Sequence, residues 1–176
     1  MNLELAYTPA LELAHRIKAR ELSPVDIVDN ALARIEAVND ELNAFCFVYP
    51  EEARARARAA EAEVTKRGDD TLRPLHGVPI ALKDFTPTRG KCTTLGSRVF
   101  EDWVPDWQPV IVDRLLAAGA ILVGKTTTPE FATAGFTRSD LWGITCNPWN
   151  LAHTPGGSSG GSGAAVAAGS ATSGSP

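Results

Sequence analysis

Apolar positions recur with a helical period through the first part of the chain and give way to short, unbroken apolar runs from about residue 73. Thr8 and Pro9 offer an N-cap and a first-turn proline, and Ala10, Leu13, Ala14 and Ile17 then repeat on one face. These predict a helix ending near residue 19. Ser23 and Pro24 repeat the device, with Asp26 in the first turn and Val25, Val28, Leu32 and Ile35 as the apolar stripe, so a second helix should run to about residue 39. Residues 44–49, AFCFVY, are short, aromatic and β-branched enough for a strand, which Pro50 should close before a third helix opens on EEARARARAAEAEV. The Glu and Arg residues of that helix read as its solvated face.

Residues 77–84, GVPIALKD, form a nearly continuous apolar run ended by charge, as expected of a strand covered on both faces. Alternation puts Val78, Ile80 and Leu82 on one side and Ala81 and Lys83 on the other, so Lys83 follows Ala81 toward a buried side. A Gly/Thr/Ser loop follows. A helix over about 107–118, capped by Gly119, then leads to a second buried strand at 120–125, AILVGK. Strand, helix and strand at this spacing predict a parallel βαβ unit. The pattern divides the chain into a helical N-terminal segment, 1–75, that packs on an α/β core, 76–176.

Composition adds exclusions. At 176 residues, 44% hydrophobic and 22% charged, the chain is long enough to bury a core. A net charge of −4 with scattered basic residues gives no nucleic-acid surface. No apolar run approaches the roughly 18 residues of a membrane span, and the N-terminus lacks a leader pattern, which predicts a cytoplasmic protein without a membrane partner. Cys46, Cys92 and Cys146 are odd in number, far apart and without CxxC spacing, so neither a disulfide framework nor a metal site is expected.

The candidate chemistry lies in Thr154 to Gly169, TPGGSSGGSGAAVAAG, where a glycine and serine loop runs into an alanine-rich stretch that predicts a helix. Such a loop brings backbone and hydroxyls close to an anion, or to an oxygen that becomes one. A phosphate cradle needs a lysine followed by Ser or Thr, whereas Ser162 leads into Gly163 and Ala164. A flexible linker explains the glycines but not the stiff approach NPWNLAHTPGG. A serine-based active site needs a base from elsewhere. His15, His76 and His153 sit in no Ser–His–Asp pattern, which leaves Lys83, although a lysine at a strand end can equally reach solvent or pair with Asp84. As a base it must be neutral, and bringing its pKa from about 10.4 to near 7 costs roughly 4.6 kcal/mol, which burial can impose.

GVPIALKDFTPTRGKCTTLGS, GAILVGKTTTPEFA and GITCNPWNLAHTPGGSSGGSGAAVAAG, in that order, resemble the amidase signature family, over about residues 77–169. The resemblance implies an α/β fold, a mixed central sheet flanked by helices, and hydrolysis of carboxamides by a Ser–cisSer–Lys triad without a cofactor. It makes Lys83 the catalytic lysine and Ser158 the serine that follows a cis peptide, with Gly156, Gly157 and Ser159 as candidates for contact with substrate. Neutral Lys83 would take a proton from Ser158, which takes one from a second, nucleophilic serine. Ser159 and Ser162 are expected to support the loop. The family's nucleophile lies in a T/S-D-x-GGS block that the residues after Ser158 do not contain; Ser170, Ser173 and Ser175 lack its glycine pair and aspartate. The expectation is a truncated N-terminal portion, inactive alone. Thr127, where many relatives carry asparagine, puts substrate-side contacts there in doubt. The partner expected is a small-molecule amide, and a homodimer is compatible with the sequence. Two other functions stay open. One is the A subunit of a glutamine-dependent tRNA amidotransferase, whose partners would be charged tRNA and a companion subunit. The other is a non-catalytic anion-binding or interaction module.

Overall fold

The structure, a computed structural model, describes residues 1–66 and 72–171. Its helices are α1 (Leu3–Ala6), α2 (Ala10–Lys18), α3 (Pro24–Leu42), α4 (Pro50–Lys66), α5 (Val110–Ala117) and α6 (Gly160–Ala167). The strands are β1 (Phe45–Val48), β2 (Pro79–Lys83), β3 (Ile121–Thr126), β4 (Arg138–Ser139) and β5 (Gly143–Ile144).

The N-terminal helices follow their apolar stripes. Leu13, Ala14 and Ile17 of α2 are buried, as are Ile27, Val28, Leu32 and Ile35 of α3. Thr8 does not cap α2: its hydroxyl donates to the Glu4 carbonyl at 2.9 Å, closing the turn after α1, and Pro9 takes the cap position instead. Ser23 does cap α3, accepting from the Val25 and Asp26 amides at 3.0 and 3.3 Å. Ser23→Ala leaves both donors without that acceptor and should cost about 1 kcal/mol in urea denaturation. Asn43, with φ of 48°, ends α3 in the left-handed region. Pro50 is the first residue of α4 as well as the stop after β1. Ala53, Ala57, Ala60 and Val64 turn inward while Arg54 pairs with Asp29 at 2.8 Å and Arg56 with Glu52 at 3.2 Å, the charged outer face that the spacing predicts.

The main sheet has the order β1-β3-β2, with β1 antiparallel and β2 parallel to β3. It is therefore mixed, and α5 supplies the predicted βαβ crossover. One apolar cluster joins α3, β1, α4, β3 and α6 through Val28, Phe45, Ala57, Val123 and Ala164. A second joins α2 and α3 to Val78, and a third packs Leu82 and Leu122 against Val112 of α5. Residues on both sides of position 75 thus share one sheet and one core.

One irregularity decides where the chemistry points. Along β2 and β3 the partners run Ile80 with Leu122, then Ala81 with Gly124, so Val123 is passed over and the alternation shifts by one. Beyond that bulge Lys83 sits opposite Thr126, and Leu82 opposite Lys125. Lys83 and Thr126 therefore share the α6 side, whereas Lys125 crosses to the side of Asp84.

Candidate active site

At the end of β2, Lys83 Nζ lies 2.7 Å from Ser158 Oγ, across 75 residues of chain. Ser158 follows a cis peptide bond from Gly157. Burial lowers the Lys83 pKa from its ordinary value, and no carboxylate among the described residues forms an ion pair with it. The Phe85 ring centroid stands 5.7 Å from Nζ. Asp84, which the sequence offers as a partner for Lys83, turns away and pairs with Lys125.

A set of threonines holds the serine loop. Thr128 donates to the Ser158 carbonyl at 3.2 Å, and the hydroxyls of Thr126 and Ser162 meet at 2.7 Å. Thr137 donates to the Gly156 carbonyl at 2.9 Å and accepts from the Gly160 amide at 3.1 Å. Gly157 is required by close approach: a Cβ there would come within 2.7 Å of Phe136 N and 2.8 Å of Ala134 O. Sequence reasoning does not single out these threonines as loop supports; the signal for Thr126 and Thr128 is the run of hydroxyls at the end of a buried strand, and Thr137 carries none.

Gly157 and Ser159 are exposed beside Ser158, and Gly156 is half-buried. Ser162 lies in α6, which begins at Gly160 rather than at the alanines, so the helix takes in three of the glycines. Thr127 does not face the loop's open side. It is buried, with its hydroxyl 2.6 Å from that of Thr145 and 3.2 Å from the Asn43 carbonyl, so it ties the end of β3 to the start of β1. Ser170 is buried against the Ala165 carbonyl at 2.9 Å, while Ser173 and Ser175 lie outside the described residues. His76 is buried with Nε2 2.9 Å from the Ala60 carbonyl, a packing role, and His15 and His153 are exposed.

The amidase family model matches residues 26–175. The chain belongs to the amidase signature family. Among curated relatives of this amidase signature protein, the A subunit of the glutamyl-tRNA(Gln) amidotransferase of Geobacter sulfurreducens is 45% identical over 97% of the chain and 34% of the relative. The protein of the same name from a Synechococcus is 50% identical over 85% of the chain and 30% of the relative. Of solved structures, a fatty acid amide hydrolase superposes with a TM-score of 0.90 at 29% identity, over 96% of this chain and 30% of that one. A peptide amidase from Stenotrophomonas maltophilia gives 0.83 at 34% identity, over 93% and 34%. The chain thus spans about a third of the length of the curated relatives it matches. Its mixed sheet flanked by helices is the amidase signature architecture that those neighbours share. Among the described residues no helix is long and apolar enough to cross a membrane.

Proposed function

We propose that Lys83 and Ser158 are the base and the proton relay of a Ser–cisSer–Lys triad that hydrolyses carboxamides. The observation that carries this reading is the 2.7 Å contact between a lysine whose ammonium form is disfavoured by burial and a hydroxyl fixed by the loop around it. Lys83 accepts the Ser158 proton, and Ser158 accepts that of a second serine, whose oxygen bonds to the amide carbonyl carbon. As the C–N bond breaks, the relay returns a proton to the departing amine, and water then releases the acyl group. On this reading the second serine is supplied from outside these residues, which span about a third of the relatives' length. The 176-residue chain alone is accordingly inactive, and Gly156, Gly157 and Ser159 form the substrate-facing rim of its part of the site.

A chimera joining residues 1–176 to the complementary part of the Geobacter sulfurreducens relative tests this reading. Ammonia release from simple carboxamides is expected from the chimera and not from the chain alone. Robust hydrolysis by the chain alone, abolished by Lys83→Ala, would place the nucleophile within these residues and overturn the assignment.

A second reading, the A subunit of a glutamine-dependent tRNA amidotransferase, is favoured by the names of relatives 42–50% identical. Ammonia release from glutamine in preference to simple amides, together with copurification of a companion subunit, would select it. A soluble cytoplasmic setting accords with either reading.

A further inference from the structure

On the face of the sheet opposite Lys83, an ion pair lies wholly inside the protein. Lys125 Nζ is 3.3 Å from Asp84 Oδ1, with neither side chain exposed at all. Lys125 also donates to Thr93 Oγ1 at 2.5 Å and to the Cys92 carbonyl at 3.2 Å, so its three protons have three acceptors. Asp84 accepts the Thr94 amide at 3.2 Å and the Thr94 hydroxyl, which in turn accepts Trp142 Nε1–H at 2.9 Å. The backbone of Asp84 is fixed as well, its amide donating to the Thr126 carbonyl at 2.9 Å and its carbonyl accepting from Leu95 at 3.1 Å. The other titratable groups facing the pair are Cys46 and Tyr49 at and just past β1 and Cys92 in the loop, each pushed up by burial and so uncharged at neutral pH. Lys91 and Glu52 pair with each other, with Lys91 Nζ 4.4 Å from the Tyr49 ring centroid.

A buried ion pair is a poor source of stability, because desolvating two charges offsets most of their attraction and apolar replacements often do as well. What it does supply is direction. Asp84 is the residue after Lys83, Lys125 the residue before Thr126, and Thr126 is the register partner of Lys83. The pair therefore clamps β2 to β3 immediately beside the two side chains that meet Ser158 and Ser162. Lys83 needs such help: it has a long, rotamer-rich side chain, only half-buried, and among the described residues its amine hydrogen-bonds to Ser158.

Resting on the triad reading above, we infer that Asp84 and Lys125 are positioning residues for the base: their ion pair, braced by Thr94, sets the end of β2 so that Lys83 Nζ meets Ser158 Oγ. Neither residue touches the reacting atoms. The pair acts through the backbone it holds and through the bulge at Val123 that brings Lys125 to this side.

The test reads Lys83 itself. Competitive acetylation of the 176-residue chain across pH, followed by mass spectrometry of the Lys83 peptide, gives the midpoint of its titration without any need for turnover. Asp84→Asn and the apolar pair Asp84→Leu with Lys125→Met should each return Lys83 toward solvent, so that its uncharged fraction at pH 8 falls about tenfold, one unit of pKa. Thr94→Val removes a single brace; it should shift Lys83 the same way by less and carries the test where the charge variants do not fold. In the chimera the same variants should lower kcat with KM unchanged, the signature of a misplaced reacting group. A purely structural role predicts lower unfolding midpoints, recovered by the apolar pair, with Lys83 titrating as in the parent; that result overturns the inference and leaves the base assignment intact. A parent chain whose Lys83 titrates like a free lysine overturns both.

Discussion

On the triad reading, replacing Lys83 with alanine should lower amide turnover by the chimera about a thousandfold, within the range general-base removal costs. The replacement removes the acceptor that lies 2.7 Å from Ser158 Oγ, and no carboxylate or imidazole among the hydrogen bonds of the described residues stands ready to replace it. Lys83→Arg is expected to lose as much, since a guanidinium keeps its proton throughout the working range and cannot accept another. The two variants together separate basicity from mere positive charge. Measuring initial rates of ammonia release across pH adds the sign. On that reading the uncharged amine is the active form, so the rate should rise with pH and level off above the Lys83 midpoint, which burial moves below that of ordinary lysine.

Stability should respond in the same direction for the same reason. Between the lowered folded midpoint and the unfolded one, the unfolded chain holds a proton at Lys83 that the folded chain does not, so stability rises with pH across that window. Below the folded midpoint the cost of holding a charge in place is fully present. Lys83→Met removes this slope from denaturation midpoints followed across the alkaline range. The side chain proposed as the base is thus one the fold tolerates at some cost.

Much of this arrangement is legible in the chain because the relevant signals are local. The strands at Phe45–Val48, Pro79–Lys83 and Ile121–Thr126, and the helix between the last two, follow from apolar runs and their punctuation. The three separated motif blocks also indicate which lysine meets which serine. What periodicity does not supply is side-chain direction past an irregularity. The alternation that places Lys83 on a buried side takes no account of the extra residue at Val123, so Lys125 is indistinguishable from a strand-end charge that snorkels to solvent. The bulge, a matter of pairing between strands far apart in sequence, is what makes it fully buried. The start of α6 is hidden in the sequence for a related reason. Glycine at Gly160 and Gly161 suggests a loop by propensity, yet tertiary contact with Thr137 and Thr127 demands glycine within a helix.

That contact yields a pair of opposite expectations inside one helix. Gly161→Ala gains about 1 kcal/mol of helix propensity, but its new Cβ would stand 2.5 Å from Thr127 N and 2.6 Å from Thr127 O. Both atoms are backbone at the end of β3, where Thr127 N–H donates to the Ala44 carbonyl at 2.9 Å, so they cannot swing aside as a flexible side chain would. Helix α6 must move off the sheet instead. Overpacking of this kind costs about 1–3 kcal/mol, which outweighs the propensity gain at its midpoint, and urea denaturation should show a net loss of about 1 kcal/mol. Gly163→Ala, two residues on, meets nothing within 4 Å and lies on the exposed face, so propensity acts alone and the variant should gain about 0.5–1 kcal/mol. The difference extends to chemistry because Ser162 lies in the same helix and Ser158 lies two residues before its start. Displacing α6 from β3 draws Ser158 Oγ away from Lys83 Nζ, so Gly161→Ala should lose activity in the chimera beyond what its unfolded fraction explains, while Gly163→Ala leaves turnover unchanged. Equal stability in the two variants would mean that α6 is not pressed against β3 as closely as the Gly161 contact requires.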